Sequence, residues 1–487
     1  FIYHEPAIAQ VLILGSFLYL LNLFGWAGQK LLNAGLLGQI LLGVIYGTPL
    51  AGWLDEVWLE AFVALGYVGL LIVVFEAGIH SSVSHLESIL PLSLCIAVTG
   101  VMLPMGLSFI LGPLANFSYL HCFAAGSAMA STSLGTTLAV LSPQSLGFDL
   151  RRTRLGTALI SAAVIDDIIA FILSKMLSVI GNNPSASGAV LGIQIGRTIG
   201  VTLGIGLISL LATNYVLKPV YRAMRARGRL WEDKSWGGDG LLVFCMTLLW
   251  LGLVAGAGYA GTSPLFGAYL SGLVVAYVAE EEREPDPTLK LPHRFPHAAT
   301  IDVRTPNMLA RASTLPETTS VGFLTSTSTT PLGGKVEDDK PTTSLTVAFE
   351  HYVAPALFRL LLPIFFASIG YSIPFVPLWK GSVLWRGIIY TILMTLGKVG
   401  CGLWLVVWTK SWKCWRGAVV LGLAMVARGE IGLLISQIAY TTSTPLLPGD
   451  EFLIVIWAIV LCTVAGPVAV GIAIRRWGKT ILIGSWD

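Results

Sequence analysis

The chain has 487 residues, of which 55% are hydrophobic and only 12% charged, about half the charged share of an average soluble domain. Mean hydropathy is +0.77; no soluble core absorbs that much apolar sequence, so the chain reads as an all-α polytopic membrane protein. The formal net charge of +3 comes from dispersed basic residues, which argues against a nucleic-acid-binding face.

A bilayer-crossing helix needs ~20 predominantly apolar residues. That rule predicts thirteen spans, near 7–26, 31–50, 57–77, 89–113, 119–141, 155–181, 192–217, 239–259, 262–279, 354–373, 383–408, 415–440 and 451–474. The first lacks a basic leading region and a cleavage site, so no cleavable signal peptide is expected. Six cysteines stand singly in or beside the spans, without the spacing of a disulfide framework or a zinc site. Glu76 and Lys175 lie near span ends, where snorkelling is cheap.

The fifth span contains Ser131-Thr132-Ser133-Leu134-Gly135-Thr136-Thr137. Hydroxyls and a glycine at this density suit an unwound segment lining a cavity better than a lipid-facing helix. The sixth span carries Asp166 and Asp167 half-way along. A charge at that depth costs ~2.5–3.5 kcal/mol on insertion scales, so the acids must face protein or water, where such groups bind cations or relay protons.

After the ninth span, residues 280–350 are rich in Ser, Thr, Pro and charge, a composition that cannot bury enough surface to fold alone. They are expected to form a disordered cytoplasmic linker. The eleventh span carries Lys398 at mid-depth, and the twelfth is interrupted by Ala427-Arg428-Gly429-Glu430-Ile431-Gly432. The fifth and twelfth spans are seven apart and so cross in opposite directions. Two interrupted helices of opposite polarity are the sequence pointer to an inverted repeat with a midplane site.

Asp166, Asp167, Lys398, Arg428 and Glu430 are thus the deeply placed ionisable groups, and mutual pairing is expected. Neighbouring residues on a helix point ~100° apart, so one aspartate can pair with Lys398 while the other stays available. A carboxylate without a cationic partner in a poorly solvated cavity holds either a proton or a metal cation, but not both. A hard monovalent cation wants several oxygens, and the hydroxyls of Ser131, Thr132 and Ser133, with carbonyls freed by unwinding, are the candidates to complete its shell.

Lysine and arginine concentrate in connections after odd-numbered spans, as at Lys30, Arg151, Arg152, Arg154, Lys410 and Lys413, and again in the tail. The positive-inside bias therefore predicts an outside or lumenal N-terminus and a cytoplasmic C-terminus. The expected organisation is a first membrane half, 1–279, with core helices near 89–181; the linker, 280–350; a second half, 351–474, with core helices near 383–474; and a short tail, 475–487.

Several strings, in this order, resemble the monovalent cation:proton antiporter superfamily, in the second branch that holds bacterial sodium/proton and potassium/proton antiporters and their fungal relatives. They are Gly38-Gln39-Ile40-Leu41-Leu42-Gly43, Phe75-Glu76-Ala77-Gly78, Ala130-Ser131-Thr132-Ser133-Leu134-Gly135, Val164-Ile165-Asp166-Asp167, Ser263-Pro264-Leu265-Phe266-Gly267-Ala268, Leu362-Pro363-Ile364-Phe365-Phe366 and Arg428-Gly429-Glu430-Ile431-Gly432. The resemblance implies two crossed discontinuous helices in a core domain that moves like an elevator against a dimerisation domain, and hence a homodimer. It implies Na+ or K+ and H+ as the exchanged ions, with no cofactor and no enzymatic activity. By position, Asp167 resembles the ion-binding carboxylate and Asp166 the acid paired with a membrane lysine, here Lys398. Arg428 and Glu430 match the charged pair of the second broken helix, and Thr132 with its neighbours matches the first. Two adjacent acids imply electrogenic exchange. The insert at 280–350 is longer than in compact bacterial members, and no nucleotide-binding domain follows the last span, so ligand gating is not expected.

Two other classes compete. A cation channel would use a wet pore with rings of charge or carbonyls, whereas balanced acids and bases beside paired breaks favour alternating access. An intramembrane aspartyl protease needs two aspartates brought together from different helices, and these two are adjacent on one.

Overall fold

The computed structural model describes residues 5, 7–32, 34–80, 83–133, 153–185, 187–226, 237–279 and 344–482. Among them there is no strand. Among the described residues, nine helices are long and apolar enough to cross a membrane, from Ile8–Leu32 to Asp450–Trp477. The remaining predicted spans differ in kind. The second is the twelve-residue helix Gly35–Tyr46 and the ninth is Pro264–Ala279; the twelfth is split between Ala424 and Glu430, and the described part of the fifth is helical over Tyr119–Ala128 only.

We number the principal helices α1 (Ile8–Leu32), α2 (Gly35–Tyr46), α3 (Glu56–Ile79), α4 (Val83–Ser108), α5 (Tyr119–Ala128), α6 (Arg154–Asn182) and α7 (Gly188–Ala212). There follow α8 (Gly237–Ala260), α9 (Pro264–Ala279), α10 (Leu362–Tyr371), α11 (Gly381–Cys401), α12 (Trp415–Ala424), α13 (Glu430–Thr441) and α14 (Asp450–Trp477). They pack in two groups. In one, α1 lies on α2, α2 and α3 lie on α10, and α9 lies between α3 and α8. In the other, α4 packs on α5, α6 and α11, α5 packs on α13, and α14 packs on α11 and α12. The groups meet where α9 touches α6 and α10 touches α13.

Glycine makes the first group tight. Gly272 of α9 faces the backbone of Phe75, and Gly43 of α2 faces that of Ala367. A side chain at either position would collide with main chain. In a membrane, where lipid is as apolar as leucine, such close backbone approach is what favours one helix pairing over another.

Two expected boundaries move. Residues 280–343 lie outside the described residues, but 344–350, assigned to the linker, belong to the helix Ser344–Tyr352. Its Leu345, Ala348 and Phe349 bury against Phe75, Ile79 and Val275, enough apolar area to order a segment whose neighbours in sequence are polar. The expected tail begins later, because α14 continues to Trp477 and a 3-10 turn follows. Arg475 and Arg476 are exposed at the end of α14, and Ile481 anchors the turn by full burial.

Candidate ion site

The site forms where two helices stop half-way. α5 starts on Ser118, whose side chain accepts the His121 amide, and ends at Ala128; residues 131–133 are non-helical. The rest of the hydroxyl-rich string, Leu134 to Thr137, lies outside the described residues. Ser and Thr side chains offer the backbone alternatives to the helical ladder, but the alternatives used here come largely from the other break. Between α12 and α13 the helix is lost over 425–429, two residues before the interruption expected at Ala427–Gly432. The amide of Ser133 donates to the carbonyl of Ala427 at 2.9 Å. Arg428 Nη1 donates to the carbonyls of Ala130, at 3.3 Å, and Ser131. Thr132 Oγ1 lies 3.3 Å from the Met425 carbonyl. Each interruption therefore supplies partners for backbone groups freed by the other, the condition under which irregular backbone survives at membrane depth.

Two glycines permit this approach. A Cβ on Gly429 would come within 2.6 Å of Ser133 Oγ, and one on Gly466 of α14 within 2.7 Å of the Ala427 nitrogen. α14 also brings Thr463 Oγ1 to 2.9 Å from the Arg428 carbonyl. Thr463 and Gly466 were not singled out from the sequence, where they read as ordinary residues of an apolar span.

α6 presents the two acids to this junction. Asp166 Oδ2 is 2.5 Å from Lys398 Nζ on α11, and both side chains are fully buried. Thr132 Oγ1 closes a triangle, donating to Asp166 Oδ2 at 2.9 Å and accepting from Lys398 Nζ at 3.0 Å. Thr132 is thus committed to the ion pair, whereas its sequence reading made it an oxygen for the cation. Asp167, the next residue, is 5% exposed. Its Oδ1 is buried without a hydrogen-bond partner, and no salt bridge reaches it among the described residues. Ser131 and Ser133 are buried at the first break.

Arg428 and Glu430 were expected to balance charge, and the structure brings them to different tasks. Arg428 is fully buried, bonded to carbonyls just past the C-terminal end of α5, where a helix dipole favours a cation. Glu430 opens α13, where the dipole favours an anion. No salt bridge joins them among the described residues. Tyr390 OH of α11 lies 2.8 Å from Ser108 Oγ of α4. The periodicity Tyr390, Met394, Lys398 on one buried face of α11 is the signal by which Tyr390 was findable.

The profile of the family described as "Sodium/hydrogen exchanger, transmembrane" matches residues 13–291 and 340–475. The Na(+)/H(+)-K(+) antiporter GerN of Bacillus cereus is 22% identical over 448 residues, covering 92% of this chain and 91% of that protein. The high-affinity Na(+)/H(+) antiporter NhaS3 of Synechocystis sp. is 27% identical over 244 residues, 48% of each. Among solved structures, the sodium proton antiporter MjNhaP1 of Methanocaldococcus jannaschii shares the fold. The match has a TM-score of 0.59 at 14% identity and covers 99% of this chain and 100% of that one.

Proposed function

The chain belongs to the transmembrane sodium/hydrogen exchanger family, and from that premise we propose that it exchanges a monovalent cation, Na+ or K+, for protons across a membrane by alternating access. It is an integral membrane transporter and not an enzyme. The observation that carries the reading is Asp167, a buried carboxylate that no salt bridge reaches among the described residues, next in sequence to the aspartate bonded to Thr132 at the meeting of the two interruptions. A site that holds a proton or an alkali cation in turn, and cannot stay empty without cost, couples the two fluxes. Asp166 and Lys398 form the neutral ion pair that fixes the Asp167 helix, and Ser131 and Ser133 offer oxygens to the cation.

The group of α4, α5, α6 and α11 to α14 moves as the transport body against the group of α1 to α3 and α8 to α10. The gliding surface is the contact of α9 with α6 and of α10 with α13. The assembly is a homodimer, with the N-terminus outside or lumenal and the C-terminus cytoplasmic. Exchange is electrogenic, moving more protons than cations, so that ~2.3 kcal/mol per charge per 100 mV assists cation export.

Reconstitution into proteoliposomes carrying an acid-inside pH gradient tests this directly. External NaCl or KCl is expected to dequench an acid-trapping dye, choline chloride is not, and an imposed potential should change the rate. Cation conductance without proton movement would instead mark a channel and sink the proposal.

A further inference from the structure

α14 carries two acids in its first turn, Asp450 and Glu451, and each meets a basic side chain from another element. Asp450 Oδ1 is 3.2 Å from Nζ of Lys380, just before α11, and both side chains are about half exposed. Solvent screens such a pair and leaves it worth little. Glu451 is placed differently. Its Oε2 lies 2.8 Å from His121 Nδ1, and the two side chains are 18% and 25% exposed. The facing atoms are themselves buried, with no other hydrogen-bond partner among the described residues. Nδ1 can carry a proton in the neutral as well as in the charged imidazole, so it serves the carboxylate in either state.

His121 stands in the first turn of α5, the half-helix that ends at the first interruption. α5 and α14 lie against each other, and they are tied a second time at the junction. There Arg428 Nη1 bonds the carbonyls of Ala130 and Ser131, past the end of α5, while Thr463 Oγ1 of α14 donates to the Arg428 carbonyl. α5 is thus fastened to α14 at both ends, directly where the two helices begin and through Arg428 beside the ion pair. A helix of ten residues is ~15 Å long and held by its own backbone bonds, so a shift of its first turn is carried to Ser131 and Ser133. Lys380 is spent on Asp450, and α13 meets the same turn of α14 through the stacked rings of Tyr440 and Phe452. Among the described residues, the ionic tie from this turn to α5 is therefore His121 with Glu451.

We propose that His121 is a positioning residue for cation exchange: paired with Glu451, it sets α5 against α14 and so fixes the oxygens of Ser131 and Ser133 where the two interruptions meet. The inference rests on the exchange reading above and adds to it a residue that touches no transported ion. Affinity at a hard-cation site depends on the rigidity of its oxygen ligands as well as on their charge, so loss of the pair weakens cation binding. Asp167 and the Asp166–Lys398 pair are carried by α6 and α11, and turnover at saturating cation is kept.

The experiment measures the apparent KM for NaCl or KCl and the rate at saturating cation, in proteoliposomes at one fixed pH. It compares wild type, H121A, H121N, E451Q, K380Q and the double variant H121A with E451Q. H121A and E451Q are each expected to raise KM about fivefold at an unchanged maximal rate. The double variant should go no further than either alone, because one contact is lost in all three. H121N, whose amide nitrogen stands close to the position of Nδ1, should recover most of the affinity. K380Q breaks the exposed pair on the same turn and should behave as wild type. Wild-type KM in H121A and E451Q would overturn the proposal, as would effects that simply add in the double variant. An equal rise in K380Q would overturn it too, as the mark of general loosening at this end of α14. So would a lower Tm in detergent with KM unchanged, which is the signature of a clamp with no part in binding. Should H121A fail to fold, E451Q against H121N carries the same comparison. Wild type without cation-driven proton flux would remove the exchange reading itself, an outcome distinct from failure of His121 alone.

Discussion

Asp167→Asn is expected to reduce cation-driven proton flux to the level of protein-free vesicles, with the protein still folded and its Tm unchanged or raised. The carboxylate is nearly fully buried, with an oxygen that finds no hydrogen-bond partner among the described residues. Removing its charge therefore relieves a desolvation cost and breaks no ion pair. An amide keeps the shape of the side chain but neither takes up a proton near neutral pH nor neutralises an alkali cation. Loss of transport without loss of stability separates a site residue from a structural one. Wild-type flux in Asp167→Asn, measured by dye dequenching, would count against the assignment.

Lys398→Ala should have the opposite signature, a large loss of stability. Lys398 and Asp166 are both fully buried and 2.5 Å apart, and truncating one partner strands the other charge, at a cost of ~3–5 kcal/mol. Thr132 would lose its acceptor role at the same time, loosening the first break where it meets the second. A double replacement, Asp166→Asn with Lys398→Met, removes both charges and should recover most of the loss, since a buried pair is worth little against a neutral pair of similar volume. Thermal melting of the three variants in detergent is the measurement. Unchanged melting of Lys398→Ala would show that the pair does not hold α6 to α11.

The pairing of a lysine with an aspartate half-way through the bilayer follows from the cost of leaving either alone, and for that reason residue types and depth sufficed to expect it. The interruptions were legible for a similar reason, since hydroxyls, glycines and charges at mid-span are costly against lipid. Their positions were less so. The second break starts at Met425, which reads as an apolar helical residue; its carbonyl is drawn toward Thr132 and that of Ala427 toward Ser133, partners nearly three hundred residues away in sequence. The fate of Arg428 was hidden for the same reason. Charge balance suggested an acid as its partner, but Nη1 goes to the carbonyls past the end of α5, and only the tertiary approach of the two interruptions creates that target. The short α2 and α9, and the helix at 344–352, depend on glycine-mediated contact and on apolar faces supplied by distant spans, neither of which is written locally.

The most direct test of a single carboxyl shared by proton and cation is competition on one side of the membrane. Proton flux is measured in proteoliposomes against NaCl or KCl concentration at several external pH values, with the internal pH held fixed. A shared site predicts that acidification raises the apparent KM for the cation while the rate at saturating cation stays constant. A falling maximal rate with an unchanged KM would mean that protons and cations act at separate places, and would contradict Asp167 as their common seat.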